Sequence, residues 1–184
     1  TALRSPTAVR GSRTPAAVRT AHGTLRPELP LPVHEMARVR PADDGPRTRL
    51  TGWRFLLRDT GSAADGRSVG AAEAMLTADG WAFAYFCEGP YVTSTERALR
   101  QAESLSTDYQ PRLLSVPELY MLTLWLHHDI GADAAEGTPE PSDVLIPLAP
   151  APPGIAAHQP HRLDALLPLL TRRLVTAPLL RTSV

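Results

Sequence analysis

Alternating large and small side chains predict strands in the first half of the chain. Residues 51–58 mix aromatic and branched side chains, and residues 81–87 alternate large with small. The Asp79-Gly80 pair separates 81–87 from a third segment, 68–76, and predicts a hairpin turn. A period of two places four side chains on one face of the last strand, namely Trp81, Phe83, Tyr85 and Cys87.

Two segments show the spacing of helices. Thr93 and Glu96 have the spacing of a capping box, and a narrow apolar stripe that includes Ala98 and Leu99 follows them. Residues 163–175 are amphipathic and predict a second helix near the end of the chain.

Three further apolar segments, 112–116, 119–126 and 144–148, predict strands in the second half. Residues 119–126 are apolar on both faces, so a buried helix is the alternative there. Short turns between consecutive strands favour antiparallel pairing. We therefore predict one α+β domain over residues 49–184, a mainly antiparallel sheet of about five strands with two helices covering one face.

Residues 1–48 differ in character from this domain. Five arginines and no acidic residue occur up to Arg26, and prolines then recur at every second or third position. Such a segment favours an extended path and cannot form a core of its own. We predict an N-terminal arm, flexible or bound to a partner. Its expected partner-binding residues are Arg4, Arg10, Arg13, Arg19, Arg26, Pro30 and Pro32.

Charge and cysteine content narrow the class of protein. The chain has 19 basic and 19 acidic residues, so no net charge attracts it to nucleic acid or a membrane surface. All the basic residues are arginine, which is typical of a GC-rich bacterial genome. A single cysteine, Cys87, excludes an intramolecular disulfide. No apolar run reaches the length of about 20 residues that a membrane span needs. These features predict a cytoplasmic bacterial protein.

Candidate chemistry is sparse. His127, His128 and Asp129, with two further histidines downstream, are the one cluster of metal-ligand residue types. Adjacent histidines in a regular strand point to opposite faces, and no established zinc motif is present. Cys87 is expected to be a buried thiol, and Glu73 to face solvent or, alternatively, to act as a general base. We therefore predict no catalytic residue, metal ligand or cofactor.

The function predicted from these features is that of a non-enzymatic structural or interaction component of a larger protein assembly, which docks through the N-terminal arm. One alternative is a small enzyme, hydrolase-like or metal-assisted, at the cluster of His127, His128 and Asp129. A second is an accessory protein that binds nucleic acid through the arginines of the arm. This last alternative is less favoured because residues 1–48 contain no aromatic side chain on which a base could stack.

Overall fold

The computed structural model of the protein describes residues 13–36, 46–61 and 68–175. Within these ranges the chain forms eight strands and three helices. The strands are β1 (Leu25–Met36), β2 (Thr48–Asp59), β3 (Ser68–Thr77), β4 (Gly80–Cys87), β5 (Gln110–Val116), β6 (Met121–His127), β7 (Val144–Pro147) and β8 (His161–Arg162). The helices are α1 (Ala16–Arg19), α2 (Pro90–Glu103) and α3 (Leu163–Val175), and a single 3-10 turn covers Pro117–Leu119.

All eight strands belong to one sheet, in the order β4-β3-β2-β1-β5-β6-β7-β8. Each half of the sheet is a four-stranded antiparallel meander. The halves meet at one short parallel pairing, Val33–Glu35 of β1 with Leu113–Ser115 of β5. The predicted sheet of about five mainly antiparallel strands is therefore wrong, because the sheet is mixed and has eight strands, although the α+β class holds.

The largest difference concerns β1. The sequence prediction placed residues 25–36 in an arm outside the domain, whereas they form a strand between β2 and β5. Pairing with β5 begins only at Val33, so the preceding stretch with Pro27, Pro30 and Pro32 has a neighbouring strand on one side only within the described part of the chain. A proline loses no ladder hydrogen bond where its nitrogen faces an open side. The prolines are therefore compatible with strand β1, although their frequency led to the prediction of an arm.

The two long helices lie on opposite faces of the sheet. Leu113 and Leu114, adjacent in β5, belong to different cores, one beneath α2 and the other beneath α3. The first face packs Leu31, Leu56, Leu113, Leu124 and Leu126 against Val92, Ala98 and Leu99 of α2. The second face packs Leu114, Val116, Trp125 and Leu145 against Leu163, Leu166 and Leu170 of α3. The prediction that both helices cover one face is wrong.

Strand β6 lies at the centre of this double-sided core. Every residue of Met121–His127 is buried, which is why the segment is apolar on both faces. The strand prediction for 119–126 is confirmed over its larger part, and the alternative of a buried helix is excluded. No helix in the described part of the chain is long and apolar enough to cross a membrane.

The helix α2 begins at Pro90, earlier than the predicted capping box. The preceding Gly89 has φ 112°, a conformation that favours glycine. Glu96 accepts hydrogen bonds from the amide and hydroxyl of Ser68, at 2.8 and 2.9 Å, rather than reaching back to the start of the helix. The carboxylate therefore ties α2 to β3 instead of capping α2.

Candidate functional site

The strongest polar cluster forms where β6 ends and β7 begins. The antiparallel register pairs Leu126 with Val144, so the flanking residues His127 and Asp143 adjoin each other. His128 is the first residue beyond β6, so its side chain need not point to the face opposite that of His127, as it would in a regular strand. Both histidines can therefore approach the same carboxylate.

The contacts between these three side chains are short. Nδ1 of His127 lies 3.1 and 3.0 Å from Oδ1 and Oδ2 of Asp143, and Nδ1 of His128 lies 3.1 Å from Oδ1. Oε2 of Glu140 lies 3.8 Å from Nδ1 of His128. One ligand atom from each of His127, His128 and Asp143 falls within 4.8 Å of the others. The cluster has the residue types and spacing of a metal-binding group.

Asp143 is fully buried and well supplied with donors. It accepts hydrogen bonds from Nε1 of Trp125 at 2.6 Å, from the amide of Glu140 at 2.9 Å and from the amide of His128 at 3.0 Å. Burial alone would raise the pKa of Asp143, but hydrogen bonds from Glu140, His127, Trp125 and His128 outweigh burial and lower it. The carboxyl is therefore an ionised carboxylate at the centre of the cluster.

Arg112 holds the connection between β6 and β7 over the second face of the sheet. Its side chain is fully buried and lies 4.8 Å above the ring of Trp125. It donates to Oε1 of Gln110 at 2.7 Å and to the backbone carbonyls of Asp133 at 3.0 Å and Glu136 at 2.5 Å. Burial lowers the pKa of Arg112, and the nearby acidic side chains offset only part of this decrease. The buried guanidinium of Arg112 thus anchors this connection to strand β5.

His34 of β1 supports the same connection from a second strand. Its Nε2 donates to the carbonyl of Ala134 at 3.0 Å, and its ring meets that of Trp125 edge-on at 5.2 Å. Burial is the main cause that lowers the pKa of His34, so the neutral imidazole is the favoured form.

The structure brings His127 and His128 together, as the enzyme alternative requires, but their carboxylate partner is Asp143 and not Asp129. Oδ1 of Asp129 instead accepts the amide of Gly131 at 2.9 Å, within a turn. Sequence reasoning missed Asp143. Its available indication was a carboxylate directly before the strand predicted at 144–148.

The downstream histidines lie elsewhere. His158 contacts Ser94 of α2, whose hydroxyl also accepts the amide of Ala149, with Ser94 Oγ to His158 Nε2 at 3.2 Å. Ser94 is buried, and within the described residues Nδ1 of His158 has no group to orient it. A nucleophile needs an accessible oxygen and an oriented base, and this pair has neither. Its contacts instead join α2 to the segment after β7. His161 lies in β8.

Glu73 is paired rather than free in solvent. It accepts Nε of Arg54 at 2.8 Å and the hydroxyl of Tyr85 at 2.7 Å. Burial and the hydrogen bond to Glu73 raise the pKa of Tyr85 to about 12. Burial likewise raises the pKa of the nearby Cys87 thiol, which therefore lacks the low pKa of a nucleophilic cysteine.

The predicted arm residues are distributed over several environments. Arg13, Arg19, Arg26 and Pro30 are exposed and Pro32 is buried, while Arg4 and Arg10 lie outside the described residues. Helix α1, which carries Arg19, packs Val18 against Leu57 of β2. Partner binding by these residues stays a prediction.

An apolar surface lies on the second face of β2, β3 and β4, beyond the area that α3 covers. We define the aromatic surface as Trp53, Phe55, Leu76, Trp81 and Phe83. Leu76, Trp81 and Phe83 are 63%, 49% and 40% exposed. The rings of Trp53 and Trp81 meet edge-on at 6.4 Å across the sheet. Side chains of this size are usually covered.

A β-bulge creates this surface. The register passes from Glu73–Tyr85 to Ala74–Phe83, which leaves Ala84 without a partner in β3. Tyr85 and Cys87 therefore lie on the first face, while Phe83 contacts Phe86 of the second face, with ring centroids 4.6 Å apart. The prediction that Phe83 shares a face with Tyr85 and Cys87 is wrong for this reason.

A cavity of about 240 Å³ opens between β1 and the end of α2. Its apolar lining includes Leu29, Leu99 and Leu126, and its acidic lining residues, Glu103 and Asp108, are exposed. No histidine or cysteine of the described residues lines it. Because these carboxylates are exposed to solvent, we assign the cavity no reaction.

Comparison of the chain with protein-family models, with curated proteins and with solved structures gave no match. Its own residues are therefore the basis for inferring what it does.

Proposed function

We propose that this protein is a non-enzymatic interaction component of a cytoplasmic protein assembly, and that it docks through the aromatic surface and the adjoining edge of β4. The observation that carries the proposal is the exposure of Leu76, Trp81 and Phe83 on one sheet face. Covering the exposed part of one such side chain contributes roughly 2 kcal/mol before the entropy cost of association. We thus propose the sheet, instead of the N-terminal arm, as the docking surface.

The edge beside this surface favours strand addition. Among the described strands β4 lies at the end of the sheet, and Gly80–Cys87 contains neither a charged residue nor proline. Natural edge strands are usually protected by charge, proline or extreme shortness. The opposite edge, β8, has only the two residues His161–Arg162, one of which is charged. The long uncharged edge is therefore the one suited to pairing.

The occupant that we propose is a second copy of the chain. Antiparallel pairing of β4 with its own copy forms a two-fold interface in which the same residues meet on both sides. Such an axis is perpendicular to the sheet, so the two aromatic surfaces join on one face. The absence of charge in β4 removes like-charge repulsion, and the chain as a whole has zero net charge.

Light scattering coupled to size-exclusion chromatography tests this proposal. We expect the wild-type chain to have the mass of a dimer and Trp81→Lys to have the mass of a monomer, because an ammonium group would be buried at the interface. Tyr120→Lys is the matched control, since Tyr120 is 90% exposed outside the aromatic surface, and it should stay dimeric. A wild-type monomer at about 100 μM, far above the Kd of a stable dimer, would contradict the proposal.

A further inference from the structure

In the cluster of His127, His128 and Asp143, two imidazole nitrogens are directed at one carboxylate oxygen. Both Nδ1 atoms face the same oxygen, Oδ1 of Asp143, at 3.1 Å. Nδ1 of His128 also lies 3.0 Å from the hydroxyl of Ser142. Two ring nitrogens can face one carboxylate oxygen only when each carries a proton or when all three atoms share a cation.

The spacing matches the first coordination shell of a small transition-metal ion. Zinc binds imidazole nitrogen and carboxylate oxygen at about 2.0–2.2 Å in a tetrahedron, which sets neighbouring ligand atoms about 3.3 Å apart. The observed separations from Oδ1 of Asp143 to both Nδ1 atoms are 3.1 Å, and that from Nδ1 of His128 to Oε2 of Glu140 is 3.8 Å. Imidazole with carboxylate is a donor set that zinc accepts.

The surroundings of Asp143 are those of an outer coordination shell. The indole of Trp125 and the amide of Glu140 donate to Oδ2, and the amide of His128 donates to Oδ1. Such donors fix the orientation of a ligating carboxylate. The site is also reachable, because His128 and Glu140 are 42% and 52% exposed at their side chains.

We propose that His127, His128 and Asp143 bind one zinc ion, and that the exposed carboxylate of Glu140 moves in to become the fourth ligand. Four protein ligands leave no open position for a substrate, so the ion is structural. It joins the end of β6 to the start of β7 and fixes the connection between them. The donor set also accepts Co²⁺, which serves as a spectroscopic substitute.

The test uses the full chain after removal of metal with a chelator. Zinc is titrated in competition with a chromophoric chelator. We expect one equivalent to bind, and His128→Ala to weaken the affinity by at least about tenfold. The exposed His22 provides the matched control, and His22→Ala should bind zinc like the wild type. Circular dichroism verifies that both variants are folded, which the exposure of His128 favours.

Two outcomes would overturn the proposal. One is a wild-type chain that binds less than one equivalent of zinc. The other is a His128→Ala variant with the affinity of the wild type, which would place the ion elsewhere. A Co²⁺ titration provides an independent readout, because a four-coordinate site gives strong visible absorption. Those bands should appear in the wild type and His22→Ala and be lost in His128→Ala.

Discussion

The indole N–H of Trp125 donates a hydrogen bond of 2.6 Å to Oδ2 of Asp143 inside the protein. It joins a core residue of β6 to the carboxylate that organises the polar cluster. Trp125 is fully buried and therefore has two roles, packing against α3 and donating to Asp143.

We expect Trp125→Phe to lower the free energy of unfolding by about 1–3 kcal/mol, because the buried carboxylate loses one donor and the core loses volume. Urea denaturation followed by circular dichroism measures the change. Tyr120→Phe is the control, because Tyr120 is 90% exposed and lies outside the aromatic surface, and it should change stability by less than about 1 kcal/mol. Equal effects for the two variants would show that the hydrogen bond to Asp143 contributes nothing.

Replacing Arg112 by lysine should loosen the connection between β6 and β7. Lysine keeps the charge but lacks the planar fork that reaches Gln110, Asp133 and Glu136 at once. We expect a loss of about 2–4 kcal/mol in the free energy of unfolding. Hydrogen exchange should rise chiefly in residues 129–142. Arg49→Lys, at a position 71% exposed, is the control and should leave exchange there unchanged.

Asp59 should make stability depend on acid pH. Hydrogen bonds from backbone amides lower the pKa of Asp59 from the ordinary 3.8, although burial opposes them. The amide of Gly61 has the largest effect, and those of His22 and Gly23 add to it. Because the folded-state pKa lies below the unfolded one, this contribution to stability is present above pH 3.8 and is lost as the pH falls through the folded-state pKa.

Thermal unfolding from about pH 6 to about pH 2.5 measures this dependence. Asp59→Asn should have a lower melting temperature than the wild type at the upper end and a flatter profile below pH 4. Asp79→Asn, in the exposed turn between β3 and β4, serves as the control and should keep the wild-type profile. Parallel profiles for the wild type and Asp59→Asn would rule out this role of Asp59.

Truncation distinguishes an arm from a strand. A chain that begins at Thr48 lacks β1, so β2 and β5 lose the strand that lies between them. We expect this chain to be unfolded by circular dichroism. A chain that begins at Arg13 keeps every strand of the sheet and should melt cooperatively near the wild-type temperature. A cooperative transition in the shorter chain would mean that β1 is dispensable.

The sequence predicted those elements whose pattern arises from their immediate surroundings. β6 is apolar on both faces because both faces of the sheet are covered there. The alternation of β4 predicted a strand correctly but not its faces, because one unpaired residue, Ala84, reverses the direction of Phe83. A bulge depends on the partner strand, which periodicity alone does not reveal.

Features that depend on distant pairing could not be predicted. The prolines of β1 indicate an arm unless the open side of the strand is known. The polar cluster was partly predicted, since His127 and His128 were named. Asp143 lies beyond a connection of more than ten residues, and only the β6–β7 register brings it to them. Residue types thus pointed to the two histidines, which are adjacent in sequence, only as an alternative to the prediction of no metal ligand, and they missed the carboxylate of Asp143, which the strand topology supplies.

The short parallel pairing between β1 and β5 has a consequence for how the protein assembles and yields. Each half of the sheet is formed by strands adjacent in sequence, whereas Val33 and Leu113 meet across a long stretch of chain. Local contacts form faster than distant ones. We expect the two halves to fold first and to join last. Under a pulling force, the two halves should separate at the β1–β5 pairing before either half unfolds.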